Sequence, residues 1–333
     1  MHIYYHIDQL PYFRNAVVTI GTFDGVHTGH AQILQQLREE AARIGGETVI
    51  ITFYPHPRKV VGGGSGEVKL LNTLEEKIQL LSWQQVDHLV VVPFTEAFSR
   101  LTAEEYIREF LLRKFRPHTV IIGYDHRYGK GRLGDYHLLE QFSQSEGFVL
   151  QEIPVHLLNA VSVSSTRIRE AIGQADIDGA NQLLGYPYFF SGQVVEGRRL
   201  GRTIGYPTAN LVVGNLEKMV PTDGVYAVEV AAVEADAITL TVPTTVKAPV
   251  TAPWSGVQWK GMMNIGKRPT VDGRERTIEV NIFDLDEDLY RRTLLVSVRK
   301  WLRPEEKFDG LDALKAQLGK DRLDALAALN PSS

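Results

Sequence analysis

The chain of 333 residues is 44% hydrophobic and 23% charged, with a formal net charge of −4, a balance that suits a folded protein of two domains and excludes the broad basic field of nucleic-acid and anionic-membrane binders. It contains no cysteine, which excludes disulfides, thiolate catalysis, iron–sulfur clusters and cysteine zinc sites. No apolar run approaches the roughly 20 residues that span a bilayer, and residues 1–6 lack a basic segment followed by an apolar one. A cytoplasmic protein with small-molecule partners, and no membrane or nucleic-acid partner, is expected.

In chain order, the β-branched run 16–20 reads as a buried strand, and residues 31–37 open an amphipathic helix. Between them stand Gly21, Phe23, Asp24, Gly25, His27, Gly29 and His30, in the sequence GTFDGVHTGH. The glycines allow a tight strand-to-helix turn, and the free N–H groups of a helix start favour an anion. Two histidines around a glycine at this junction are either ordinary turn residues or holders of a nucleotide phosphate. Strand-like runs follow at 48–53, 88–92, 119–123 and 148–153, alternating with helical stretches at 74–83, from Thr102, and at about 136–145. Thr102 and Glu105 are spaced as a capping box. This alternation predicts an α/β doubly wound parallel sheet covered on both faces. Ligands of such sheets bind beyond the carboxyl ends of the strands. Residues 21–30 and 123–129 both follow strands directly, so they are expected to share one crevice.

Two short helices end near Gly185, and from Tyr188 onward helices are expected to vanish in favour of strands at 189–195, 224–230, 277–283 and 293–298. Closely spaced strands without crossover helices predict an antiparallel β-barrel, closed by a C-terminal helix at about 311–329. The boundary is placed near residues 185–187, dividing the chain into domains 1–185 and 186–333.

Two glycine-rich stretches carry no phosphate loop. Residues 62–66 lack the Lys-Ser/Thr of a P-loop and read as a flexible loop, and the stretch 123–131 has the wrong spacing before its Gly-Lys. Ser164, Ser165 and Thr166 put three hydroxyls at a helix start, with Arg169 on the same turn. That is either a plain N-cap with solvent-facing arginines or a pyrophosphate site. In the second half, Thr208 and Asn210 offer two neutral oxygens on one side of an extended segment, of the kind that Mg²⁺ accepts alongside ATP phosphates and water; a common turn is the plain alternative. Glu279 alternates with Ile278, Val280 and Ile282, either as a solvent-facing strand residue or as a general base.

The His27–His30 and Ser164–Arg169 motifs resemble those of the class I nucleotidyltransferases. The whole chain resembles the bifunctional bacterial riboflavin kinase/FAD synthetases through GTFDGVHTGH, the segment 53–57, IGYDHRYG, SSTRIR, GYPTAN, residues 264–270, Glu279 and the segment 303–308, in family order. The resemblance implies an adenylyltransferase domain whose nucleotide and flavin site includes Gly21, Phe23, Asp24, Gly29, Gly123, Asp125, Ser164, Ser165, Thr166 and Arg169, with His27 and His30 at the transferred phosphate. It further implies a kinase domain of barrel form, with Gly201, Pro207, Thr208, Asn210, Arg303 and Phe308 binding nucleotide or flavin, Thr208 and Asn210 contacting Mg-ATP, and Glu279 as base. The chain departs from the family's usual phenylalanines at His126 and Tyr128, and its stretch 233–259 is longer than the usual turn.

The chemistry of the two reactions divides in the same way. Phosphorylating riboflavin requires taking a proton from a ribityl hydroxyl, hence a carboxylate base and a metal at the γ-phosphate. The phosphate of FMN, with a second pKa of about 6, is already largely ionised, so adenylyl transfer needs charge stabilisation rather than a base. ATP, riboflavin and FMN are the expected partners. A nucleotidyltransferase for another phosphorylated acceptor with an accessory barrel would leave Glu279, Thr208 and Asn210 without a role. A catalytically silent flavin-binding regulator would be expected to have lost some of His27, His30, Thr208, Asn210 and Glu279, all of which are present.

Overall fold

Six short strands, β1 (His2–Tyr4), β2 (Val17–Ile20), β3 (Thr48–Tyr54), β4 (His88–Pro93), β5 (Thr119–Gly123) and β6 (Val149–Ile153), form a sheet of order β1-β4-β3-β2-β5-β6. Every pairing in it is parallel. The structure is a computed structural model describing residues 1–61, 68–123, 126–153, 163–197, 200–233, 252, 256, 259–270 and 273–330. Asp125, the glycine-rich stretch 62–66 and most of 233–259 therefore lie outside the described residues.

The interior strands are buried except at the last residues of β3, β4 and β5, as a sheet covered on both faces demands. Val18, Ile20, Val49, Ile51, Val90, Val92, Val120 and Ile122 share one core with Phe110, Phe115 and Phe142. Burial of each such side chain contributes about 1.5–3 kcal/mol. Winding runs outward from β2 through β3 to β4, then restarts at β5 on the other side of β2. The carboxyl ends of β2 and β5 thus flank the point where the strand order reverses, which is where such sheets open a crevice. Gly21 follows β2 and Gly123 ends β5, in the arrangement expected of their segments.

Thr102 opens its helix through the capping box, with Thr102 Oγ1 accepting from the Glu105 amide at 3.2 Å and Glu105 accepting from the Thr102 amide at 2.8 Å. The helix then widens into a π turn over Tyr106–Leu112 before Arg113–Phe115 restores the α form. Strand β1 was not expected; its three residues are too few for any periodic signal, and it is defined by pairing with β4.

The second half forms a closed antiparallel barrel of β7 (Tyr188–Val195), β8 (Ala209–Val212), β9 (Gly224–Val233), β10 (Trp259–Thr270), β11 (Gly273–Ile282) and β12 (Thr293–Arg303), in the order β10-β11-β8-β7-β12-β9. The helix Leu311–Leu329 packs Ala325 and Leu329 against Ala227, Met262 and Phe283. One expectation needs correction: helices do not vanish after Tyr188, because Leu200–Thr203 makes a short turn of helix. Four residues are too few to show a 3.6-residue period.

By packing, the described residues divide into a sheet unit, within Met1–Lys69 and Glu76–Ser164, and a barrel unit, within Leu70–Glu75, Ser165–Thr241 and Pro253–Ser333. The helices Ser165–Gly173 and Ile177–Leu184 pack with the barrel. The Asn181 side chain accepts from the Tyr188 amide at 2.7 Å and donates to the Val298 carbonyl at 3.0 Å. Residues Leu70–Glu75 join the barrel too: Leu70 pairs with the chain at Glu217 and Met219, and the buried Lys218 ammonium donates to the Leu71 carbonyl at 2.6 Å.

Candidate functional sites

The first site is the turn that leaves β2. Phe23 and Val26, with φ of 47° and 35°, and Gly25, with φ of 89°, all lie in the left-handed region. For the two side-chain-bearing residues this costs of order 1–3 kcal/mol each, and it persists only where surrounding structure enforces it. Phe23, Asp24 and Val26 are buried, and the Phe23 ring lies where Gly21 has no side chain to obstruct it.

His27 then caps the helix Thr28–Ile44, its Nδ1 accepting from the His30 amide at 3.4 Å. An accepting Nδ1 leaves the proton of the neutral ring on Nε2. The two imidazoles stack with centroids 3.7 Å apart at 17°, and Phe23 packs on His30 at 4.9 Å. Gly29 gives the stack room, since a Cβ there would sit tightly against the His27 ring. Burial brings His27 down to about 4. Burial, then the neighbouring His27 and Lys77, holds His30 well below the usual histidine range. Both rings are therefore neutral at pH 7, so they act here as hydrogen-bonding groups rather than as cations. His30 Nδ1 is buried without a hydrogen-bond partner among the described residues.

Lys77 was not singled out from the sequence. It lies on the helix Leu74–Trp83 and is only 6% exposed. Burial lowers its ammonium to about 8, opposed by the charge of Asp24. A signal was present: Lys77 is three residues after Leu74 and four before Leu81, on the apolar stripe where a charge is out of pattern.

The departures from the family pattern have a packing explanation on one side. Tyr128 is buried, stacks on Tyr106 at 5.1 Å and donates its hydroxyl to the Asp135 carbonyl at 3.0 Å. The bare Cα of Gly134 leaves room for the ring. His126 stacks on Tyr128 with ring centroids 5.7 Å apart.

The hydroxyl-rich segment begins a helix as expected, at Ser165–Gly173. Ile168 is buried, Thr166 exposed and Arg169 half-buried. Ser164 ends the sheet unit, while Ser165, Thr166 and Arg169 belong to the barrel unit.

The second site is inside the barrel unit. Gly201, Thr208, Asn210, Glu279, Arg303 and Phe308 line one cavity, and Pro207 lines an adjoining one to which Thr208 and Asn210 also contribute. The ladder between β8 and β11 sets Asn210 opposite Glu279. Thr208 Oγ1 donates to Glu279 Oε2 at 3.2 Å. Asn281, two residues beyond Glu279 on the same face, donates its amide to the Pro207 carbonyl at 2.7 Å and so holds the Pro-Thr-x-Asn segment in place. Its period-2 spacing from Glu279 was the available signal. Gly201 has to lack a side chain, since a Cβ would meet the Tyr206 carbonyl oxygen.

Arg303 is committed to a partner that sequence reasoning missed. Its Nε and Nη2 donate to the two carboxylate oxygens of the buried Asp321 at 2.8 and 2.6 Å, which ties β12 to the C-terminal helix. The guanidinium also lies 5.6 Å from the Phe308 ring centroid. Seen from sequence, Asp321 is one acidic residue among several on a helix; only folding brings it to Arg303.

A family model for FAD synthetase matches residues 10–167, and one for riboflavin kinase matches residues 184–329. The bifunctional riboflavin kinase/FMN adenylyltransferase of Escherichia coli K12 is 36% identical over 96% of this chain and 95% of its own length. Proteins of the same description from Haemophilus influenzae, at 34% identity over 95% of each chain, and Listeria monocytogenes, at 35% over 94% and 92%, are similarly close. A solved structure described as a macrolide-efflux protein from Streptococcus pneumoniae superposes with a TM-score of 0.82 at 28% identity, covering 99% of both chains. Among the described residues no helix is long and apolar enough to cross a membrane.

Proposed function

The chain belongs to the bifunctional riboflavin kinase/FMN adenylyltransferase family, and on that premise we propose how its own residues divide the two reactions. The protein phosphorylates riboflavin to FMN with ATP, then transfers an adenylyl group from a second ATP to FMN, giving FAD and pyrophosphate. The alternative of an accessory barrel has no support, since the barrel itself matches riboflavin kinase.

In the kinase, Glu279 takes the proton from the terminal ribityl hydroxyl as that oxygen attacks the γ-phosphorus and ADP leaves. The observation that carries this assignment is the cluster of Glu279, Thr208 and Asn210, joined by the 3.2 Å hydrogen bond and by the β8–β11 register. Two neutral oxygens beside one carboxylate fit Mg²⁺, which keeps most of its ligands from phosphate and water. Thr208 and Asn210 would hold it, and when bound it supplies charge neutralisation at the phosphates. Gly201, Pro207, Arg303 and Phe308 shape the surrounding walls.

In adenylyl transfer, an FMN phosphate oxygen attacks the α-phosphorus and the bond to pyrophosphate breaks. His27 and His30 donate N–H groups to the phosphates from a preorganised, water-poor turn. Gly21, Phe23, Asp24, Gly29, Gly123 and Asp125 complete the nucleotide and flavin site, and Ser164, Ser165, Thr166 and Arg169 receive pyrophosphate. By chemistry, residues 1–185 carry adenylyl transfer and residues 186–333 carry phosphorylation. The reading implies the cytoplasm, where ATP is plentiful.

Incubating the pure protein with riboflavin and Mg-ATP and separating the flavins over time should show FMN rising first and FAD following. FMN that accumulates without FAD would remove the adenylyl-transfer assignment.

A further inference from the structure

We propose that Lys77 supplies a buried positive charge to the nucleotide-phosphate site in the adenylyl-transfer half, in addition to the Arg169 guanidinium assigned above, an inference that rests on that assignment. Departure of pyrophosphate places negative charge where the turn after β2 meets the helix Thr28–Ile44, and a preorganised cation stabilises it most effectively in a water-poor site. Residues 15–37 contain neither lysine nor arginine. The two histidines do not fill the gap, since rings stacked at 3.7 Å in a buried turn disfavour a charge on either.

Lys77 has the missing property. It projects from the apolar stripe of the helix Leu74–Trp83, is 6% exposed, and acts electrostatically on both Asp24 and His30. Holding an ammonium out of water is unfavourable unless an opposite charge offsets it. Asp24, itself 1% exposed in the strained turn, is that counter-charge. Beside them, His30 Nδ1 is buried with no hydrogen-bond partner among the described residues. A cation, a polar atom without a partner and a glycine-rich helix start together describe a site preorganised for a phosphate chain. Burial above all, with His27 and then Lys77 adding to it, holds His30 neutral, so among Lys77 and the two histidines only Lys77 carries a charge.

The test uses the full-length protein and the variants Lys77→Met, Lys77→Gln and Lys77→Arg. FAD formation from FMN is measured against ATP concentration, with FMN formation from riboflavin in the same preparation as the control for folding. Lys77→Met and Lys77→Gln should lower kcat/KM for ATP in the FAD step on the order of 10²-fold, the usual effect of removing a charged group that contacts a transferring phosphate. Lys77→Arg should stay within about tenfold, because it keeps the charge. Phosphorylation of riboflavin should not change. Wild-type kcat/KM in folded Lys77→Met or Lys77→Gln would overturn the proposal. So would recovery of FAD synthesis to within a few-fold of wild type in the double variant Asp24→Asn, Lys77→Met, since that would reduce Lys77 to a partner of Asp24. Calorimetric titration with a non-hydrolysable ATP analogue separates this inference from its premise. Two binding events in the wild type and one in Lys77→Met support the cation role even in a protein that makes no FAD, and two events in both overturn it.

Discussion

Where the chain leaves β2, the backbone bends through three positive φ angles to bring two neutral imidazoles onto a helix start, whereas in the barrel an unstrained antiparallel ladder sets Asn210 beside Glu279. With the roles proposed above, the contrast follows from the nucleophiles. An FMN phosphate arrives ionised and needs only an environment that accepts charge on the departing group, which backbone N–H groups and buried side chains provide at a tight turn. A ribityl hydroxyl arrives protonated and needs a base held at fixed distance and angle, which a rigid strand provides better than a loop. The turn of the first site occupies ten consecutive positions, while the second site joins Thr208 to Glu279 across 71 residues.

The sharpest way to break this comparison is at the base. Glu279→Gln keeps the shape and a hydrogen-bonding oxygen but cannot accept the proton, so riboflavin phosphorylation should fall roughly 10²–10⁴-fold. Supplied FMN should still be converted to FAD within a few-fold of the wild-type rate. Wild-type kinase activity in this variant would return Glu279 to the status of an ordinary strand residue.

The reciprocal substitution, His30→Ala, should lower FAD formation from FMN on the order of 10²-fold while FMN formation persists. Equal loss of both activities, measured on one preparation, would show that the two sites are not chemically separate.

Acid should distinguish the two regions by a smaller effect on stability. All ten histidines precede residue 157, so the barrel strands contain none. His27 is held near 4 in the folded chain, against about 6.5 when unfolded. Between those values the unfolded chain binds a proton that the native state refuses, so native stability falls as pH drops from 6.5 to 4. For His27 the loss amounts to about 3 kcal/mol at most, and His30 adds in the same direction. Thermal unfolding followed at pH 7.5, 6 and 5 should show the decline, and His27→Asn should flatten it. An unchanged slope in that variant would mean that His27 is not the group responsible.

Much of both sites was legible because the chemistry left local marks. The His-x-Gly-His spacing reflects one helical turn in which His27 caps the His30 amide and a Cβ at Gly29 would crowd the His27 ring. The capping box at Thr102 and Glu105 was equally local. Lys77 was legible in principle, as a charge on an apolar stripe, but nothing in its neighbourhood along the chain connects it to Asp24, 53 positions earlier. Asp321 and Asn281 left weaker traces still, because each acts through a group outside its own element, the Arg303 guanidinium and the Pro207 carbonyl.

By itself the sequence determined the alternation of strand and helix, the change to a barrel, and the residue types that adenylyl transfer and phosphorylation require, since these depend on periodicity, turn chemistry and spacing within a few residues. Tertiary structure alone decided which partners complete them. It closed the barrel through β9 and β10, neutralised the histidines by burial, committed Arg303 to Asp321, and drew Leu70–Glu75 out of the first half onto Lys218 of the second. Burial, ion pairing and ladder closure are energies between residues far apart along the chain, and no local pattern encodes which distant groups will meet.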